Sequence, residues 1–223
     1  MATSDKEVLE GVEIIKAAMA IRYGRCRISL IKLPFDDLDS QERVWDFIRI
    51  AGKLLADQKA KYDVDRVHVL ISGGRKTMGV HLAMLSQIFP TSGVYHIIAR
   101  DIRIASERLE RIRALISDLT CSEDKVSFYK EHSEDFDPVM WPPMSEYSVI
   151  KLPVLPYPSW LLEELIRVLS SPRTRKKESR VPEEILSIMW KGGLIQVAEG
   201  RIIPTEIGRE LGISLREVLG KIS

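Results

Sequence analysis

The run Arg66-Val67-His68-Val69-Leu70-Ile71-Ser72 leads directly into Gly73-Gly74 and then into a helical stretch, Lys76 to Phe89, and no other feature restricts the fold as much. Apolar, mostly β-branched residues over so short a span specify a strand, while Met78, Leu82, Leu85 and Phe89 recur at helical spacing. A second strand, Val94 to Ala99, follows the turn residues Pro90 and Gly93. Strand, helix and strand at this spacing imply a βαβ crossover and a largely parallel sheet.

The flanking sequence extends the alternation. Val8, Val12, Ile15 and Met19 predict a helix from Asp5 to Ala20, with Thr3, Ser4 or Asp5 as its cap. Arg27 to Leu33 reads as a strand ended by Pro34, and Asp39 or Ser40 caps a helix carrying Val44, Phe47, Ile48, Ala51, Leu54 and Leu55. Ile104 to Leu119 is helical, with Leu109, Ile112 and Ile116 inward, and Tyr147 to Leu152 is a last strand. Cys121 to Pro143 is polar, acidic and finally Pro-rich, which predicts a surface connection with at most a short strand at Val126 to Tyr129. With helices between the strands, the sheet is expected to be covered on both faces.

Ser159 to Leu169 forms a further amphipathic helix, and Ser171 to Arg180 reads as a basic linker, with Arg173, Arg175, Lys176, Lys177 and Arg180 opposed by Glu178 alone. Helix Pro182 to Trp190, strand Leu194 to Ala198, turn Glu199-Gly200, strand Arg201 to Pro204 and helix Thr205 to Ile222 then make a compact unit like the wing half of a winged helix-turn-helix. The expected division is residues 1–155, 156–180 and 181–223.

A length of 223 residues suits one α/β domain and a small appendage. Lys and Arg total 33 against 32 for Asp and Glu, a formal charge of +1 that argues against wholesale binding to a polyanion and leaves local patches as the only route to nucleic acid. Cys26 and Cys121 have no metal-ligand spacing and read as ordinary thiols of a reducing compartment. The charged N-terminus lacks the apolar run of a secretory signal, and no stretch is apolar enough to span a bilayer, so a cytoplasmic protein with no membrane contact is expected. No metal or cofactor is expected either.

Chemistry concentrates at Ser72-Gly73-Gly74-Arg75-Lys76-Thr77. A strand-to-helix junction presents unpaired backbone amides and the positive end of the helix dipole, which together bind anions. The two glycines let a ligand approach the backbone, and Arg75 and Lys76 add charge where a phosphate would arrive. No Gly-x-x-x-x-Gly-Lys-[Ser/Thr] precedes Lys76 and no Gly-x-Gly-x-x-Gly follows the strand, which removes support for ATP hydrolysis and dinucleotide redox chemistry. The plainer alternative is that Gly73-Gly74 only turns the chain and the cations are solvated.

The run Val67 to Gly79, with its Gly-Gly-Arg-Lys-Thr-Met core, and the strand Tyr95-His96-Ile97-Ile98 resemble the signature region of CARF domains, the CRISPR-associated Rossmann-like family. Leu33 to Ser40 and Trp45-Asp46-Phe47-Ile48 are similar to the segment that precedes that strand in the family, so the resemblance covers roughly residues 5–99. It implies a Rossmann-like, mainly parallel sheet with helices on both faces, which together with the winged-helix-like C-terminal α+β unit read above makes the expected α/β fold. It also implies a homodimer that senses a cyclic oligoadenylate, most simply cyclic tetra-adenylate, across its two-fold axis in antiviral defence. Ser72, Gly73 and Gly74 would cradle phosphate, Arg75 and Lys76 neutralise it, and Thr77 donate a hydroxyl hydrogen bond. The family's first strand and first Ser/Thr loop have no counterpart, since Met1 to Asp5 already resembles the end of the second strand; Thr3 or Ser4 remains to line the pocket's edge.

Some CARF proteins are metal-independent ring nucleases, and on that alternative Lys76, with Arg75, is the catalytic candidate. A ligand-controlled DNA-binding regulator, touching DNA or RNA through Arg173, Arg175, Lys176, Lys177 and Arg180, is a further alternative, and a Rossmann-like enzyme of another phosphorylated metabolite is more distant. Arg75 and His81 match the Arg-x-x-x-x-x-His spacing of HEPN ribonucleases, but the arginine already belongs to the loop and the match is read as coincidence. His68 and His96 read as core-edge histidines.

Overall fold

The structure, a computed structural model, describes residues 6–62, 64–89, 91–153 and 157–219. The expectations for Thr3, Ser4, Asp5 and Pro90, the boundary at 155 and the last turn of the final helix lie outside them. In chain order the elements begin α1 (Lys6–Arg22), α2 (Gln41–Tyr62), β1 (His68–Leu70), α3 (Lys76–Ile88), β2 (Gly93–Ala99), α4 (Ile102–Arg111), α5 (Arg113–Cys121), α6 (Lys125–Glu131) and α7 (Ser133–Met140). They continue with β3 (Tyr147–Leu152), α8 (Ser159–Ser170), β4 (Thr174–Arg175), α9 (Glu183–Lys191), β5 (Ile195–Ala198), β6 (Arg201–Pro204) and α10 (Glu206–Leu219). The chain is mixed α/β and predominantly helical.

Packing groups these elements into two compact units, residues 1–37 with 97–150 and residues 38–96 with 151–223. This grouping differs from the expected division at 155 and 180. Its cause within the second unit is α10, which packs along both α8 and α2 and so ties the C-terminal elements to those around β1.

In the first unit, Ile14, Ala17 and Ala18 of α1 form a core with Ile112, Ile116, Leu119, Tyr129 and Phe136. The last two residues overturn the expectation of a surface connection and short strand between Cys121 and Pro143. Asp124 caps α6 by accepting from the amides of Val126 (3.1 Å) and Ser127 (3.0 Å), and the acidic residues around Phe128, Tyr129 and Phe136 occupy the solvent side of two short helices. The expected helix from Ile104 to Leu119 is two helices, broken at Ile112 (φ −96°, ψ 3°). Arg27 to Leu33 is not a strand: only Lys32 forms an isolated bridge. Strand propensity without a continuous partner ladder is not enough to hold a strand.

The first sheet has the order β1-β2-β3. β1 and β2 are parallel, as the crossover requires, with His68 opposite Gly93, Val69 opposite Val94 and Leu70 opposite Tyr95. β1 is three residues long, shorter than the run Arg66 to Ser72. Successive strand residues point to opposite faces, yet Ile97 and Ile98 are both exposed, as are Val149 and Ile150. The expectation of helices covering both faces is therefore not met along these stretches.

In the second unit, β4, β6 and β5 form an antiparallel sheet in that order, over a core of Val168, Leu169, Val181, Leu186, Met189, Ile195 and Ile202. Glu199 (φ 50°) and Gly200 (φ 70°) close the β5-β6 hairpin with two left-handed residues, the conformation that matches the twist of a two-residue hairpin. Ser171 to Arg180 is not a free linker: Thr174 and Arg175 are β4, paired with Ile202 and Arg201, and residues 176–178 form a 3-10 turn.

Candidate functional site at the β1–α3 junction

The β1-β2 ladder runs one bond past β1, with the Ile71 amide donating to the Tyr95 carbonyl at 3.0 Å. Beyond it the chain turns at Gly73, whose φ of +89° lies in the left-handed region that any other side chain enters at a cost of about 1 kcal/mol. A side chain added at Gly73 would meet nothing within 4 Å, and one at Gly74 would only graze Met78 at 4.0 Å, so the space over the turn is open. Gly79 has a different role. A Cβ there would lie 3.1 Å from the Ile71 carbonyl oxygen, so the first turn of α3 rests directly on the end of the strand.

Gly73, Gly74, Arg75, Lys76 and Thr77 are exposed and Ser72 is half-buried. Arg75 is the N-cap of α3 in extended geometry (φ −59°, ψ 144°), and no side chain among the described residues caps the helix. Its first amides therefore face outward together with the Lys76 side chain, an arrangement suited to an anion.

His96, read above as a core-edge histidine, makes a contact that sequence spacing did not show. Its Nδ1 lies 2.9 Å from Ser72 Oγ, which places an imidazole in direct contact with the loop. The signal was in the parallel register, because Leu70 opposite Tyr95 puts His96 level with the residues leaving β1. His68, by contrast, lies with its ring 5.5 Å from that of Tyr95. His81 Nδ1 donates to the Thr77 carbonyl of its own helix at 2.7 Å and the ring meets Phe47 edge-on.

The basic segment is largely neutralised. Arg175 pairs with Glu178 (3.4 Å), Lys176 with Glu183 (2.7 Å) and Arg180 with Glu164 (3.8 Å). Arg173 and Lys177 are exposed without an ion-pair partner among the described residues. Cys26 and Cys121 are free and exposed, no group of three metal-ligating side chains occurs among the described residues, and no helix among them is long and apolar enough to cross a membrane.

The model of one protein family, CRISPR-associated protein NE0113, matches residues 1–185, which contain the whole junction. The chain belongs to that family. In this NE0113-family chain the match spans β1, α3 and β2 and ends within α9, so the β5-β6 hairpin and α10 lie beyond it. No curated protein matches the chain.

Proposed function

We propose that this CRISPR-associated protein is a cytoplasmic sensor that binds a cyclic oligoadenylate, cyclic tetra-adenylate in the first instance, on the Ser72–Thr77 loop of each chain of a homodimer. The observation that carries the reading is the open, uncapped N-terminus of α3 behind a left-handed Gly73, with Lys76 at its mouth. Backbone amides and a helix dipole recognise phosphate without regard to what it is attached to. The resemblance of the loop to CARF domains supplies the cyclic ligand, and a ligand with two-fold symmetry suits an isologous dimer. In this arrangement Ser72, Gly73 and Gly74 cradle a phosphate, Arg75 and Lys76 neutralise it and Thr77 donates a hydroxyl.

A second reading, cleavage of the same ligand, is favoured by His96. In that reaction a ribose 2′-hydroxyl attacks the adjacent phosphorus, the bond to the 5′-oxygen breaks, and the ends become a 2′,3′-cyclic phosphate and a 5′-hydroxyl. Arg75 and Lys76 stabilise the negative charge that develops, and the His96–Ser72 pair supplies a proton-transfer group beside it.

Incubation with cyclic tetra-adenylate separates the readings. Thermal stabilisation without product supports the sensor, and linear adenylates that disappear in Lys76→Ala support the nuclease. Lys76→Ala is expected to weaken binding at least tenfold; an unchanged affinity, or no stabilisation at all, sinks the loop as the site. The β4-β6-β5 order and its hairpin support a winged-helix-like reading of the C-terminal elements, in which Arg173 and Lys177 are the cations left to meet a phosphate backbone, with Arg175, Lys176 and Arg180 held by carboxylates.

A further inference from the structure

A cavity of about 900 Å³ opens within the first unit, among the end of α1, the end of β2 with the start of α4, and residues 139–147. The volume lies in the range of small-molecule sites. Its wall is aromatic: Tyr23 and Trp141 meet edge to face at 6.0 Å and 68°, and Tyr147 lines the same space. The Trp141 amide donates to the Asp137 carbonyl at 2.8 Å, and the buried Tyr129 hydroxyl donates to Asp137 Oδ1 at 2.8 Å. The Arg22 guanidinium lies 4.5 Å from the centre of the Trp141 ring.

The sign of the cavity follows from which charges are already answered. Asp101 lines it, but its carboxylate caps α4 by accepting from the amides of Arg103 (2.9 Å) and Ile104 (3.4 Å). Glu146 lines it as well and is held by the Arg108 guanidinium through both oxygens. Arg22 and Arg100, the two cations of the lining, have no carboxylate partner among the described residues. A rigid aromatic wall beside two such guanidinium groups is complementary to a flat ring that carries negative charge.

We infer that this cavity binds a small planar aromatic anion, its ring against Tyr23 and Trp141 and its anionic group at Arg22 and Arg100. None of the residues that line it belongs to the Ser72–Thr77 loop.

The test uses the full chain with 8-anilinonaphthalene-1-sulfonate as an anionic probe and N-phenyl-1-naphthylamine as its uncharged counterpart. The anion is expected to bind at least tenfold more tightly than the neutral ring, and Arg22→Gln/Arg100→Gln to remove that preference while leaving the circular-dichroism melt unchanged. Lys76→Ala is expected to leave probe binding intact, so a failure of the loop reading would not be mistaken for a failure here. Adenosine monophosphate and indole-3-acetate serve as competitors: displacement by the first alone identifies a nucleotide, by the second alone an aromatic carboxylate, and by both the shared chemistry. Equal binding of the two probes, an unchanged preference in the double variant, or displacement by neither competitor overturns the assignment.

Discussion

Glu164, on α8, is only 2% exposed, and its two oxygens accept from Arg167 Nη2 (2.7 Å) and Nε (2.9 Å) and from the Arg180 backbone amide (2.8 Å). The Arg167 hydrogen bonds are the main cause that holds its carboxyl down at about 2, against an ordinary 4.5, with burial opposing them. A carboxyl depressed by folding contributes stability above its unfolded value and loses it as the pH falls toward the folded one. Glu164→Gln is therefore expected to cost about 3 kcal/mol at pH 7, from the size of that depression, and progressively less below pH 4.5 until the variants converge near pH 2. Urea titrations at pH 7, 4 and 2.5 measure the convergence, and a pH-independent difference would show that packing rather than charge sets the cost. At this scale the turn at Gly73-Gly74 was legible, because glycine carries its backbone freedom in its identity. The roles of Glu164 and His96 were not. Arg167 stands at ordinary helical spacing from Glu164, but the Arg180 amide and, for His96, the Ser72 hydroxyl are brought close by the fold rather than by sequence spacing.

At the scale of elements, α10 is the tightest fit. A Cβ at Gly212 would lie 2.6 Å from Leu169 Cβ and 2.8 Å from the Ser170 nitrogen, and one at Gly208 would collide with the Leu194 carbonyl. Since the obstacle is backbone as well as side chain, α8 and α10 must move apart to admit it. Gly212→Ala is expected to destabilise the protein by about 3 kcal/mol, at the upper end of ordinary overpacking, while Gly11→Ala, with nothing within 4 Å, is expected to be neutral or slightly stabilising. Paired thermal melts compare them. Long periodic helices such as α2, α3 and α8 were readable from spacing alone. α6 and α7 were not, because seven- and eight-residue helices offer about two turns of pattern and Pro138 inside α7 argues locally against a helix. The Arg27–Leu33 run failed in the opposite direction, since propensity cannot supply a neighbouring strand.

For the whole molecule, sequence order is a poor guide to packing, because each compact unit is assembled from two separated stretches of chain. Composition marked the segment after residue 170 as different, but the apolar side of α10 that meets α2 and α8 looks the same in sequence whichever partner it has. The proposed sensor assembly makes a molecular-scale prediction. Calorimetric titration with cyclic tetra-adenylate is expected to give one ligand per two chains, and affinity is expected to fall with rising ionic strength because Arg75 and Lys76 are exposed and screened. One ligand per chain would exclude binding across a two-fold axis.

The two adjacent glycines of the loop are not equivalent, since only Gly73 occupies the left-handed region. A small side chain could be accommodated at position 74 without bending the path of the chain, whereas at position 73 almost any replacement would tilt the amides away from a common focus. The path of the turn thus hangs on the one position of the pair where a Cβ would meet its own backbone rather than a neighbour.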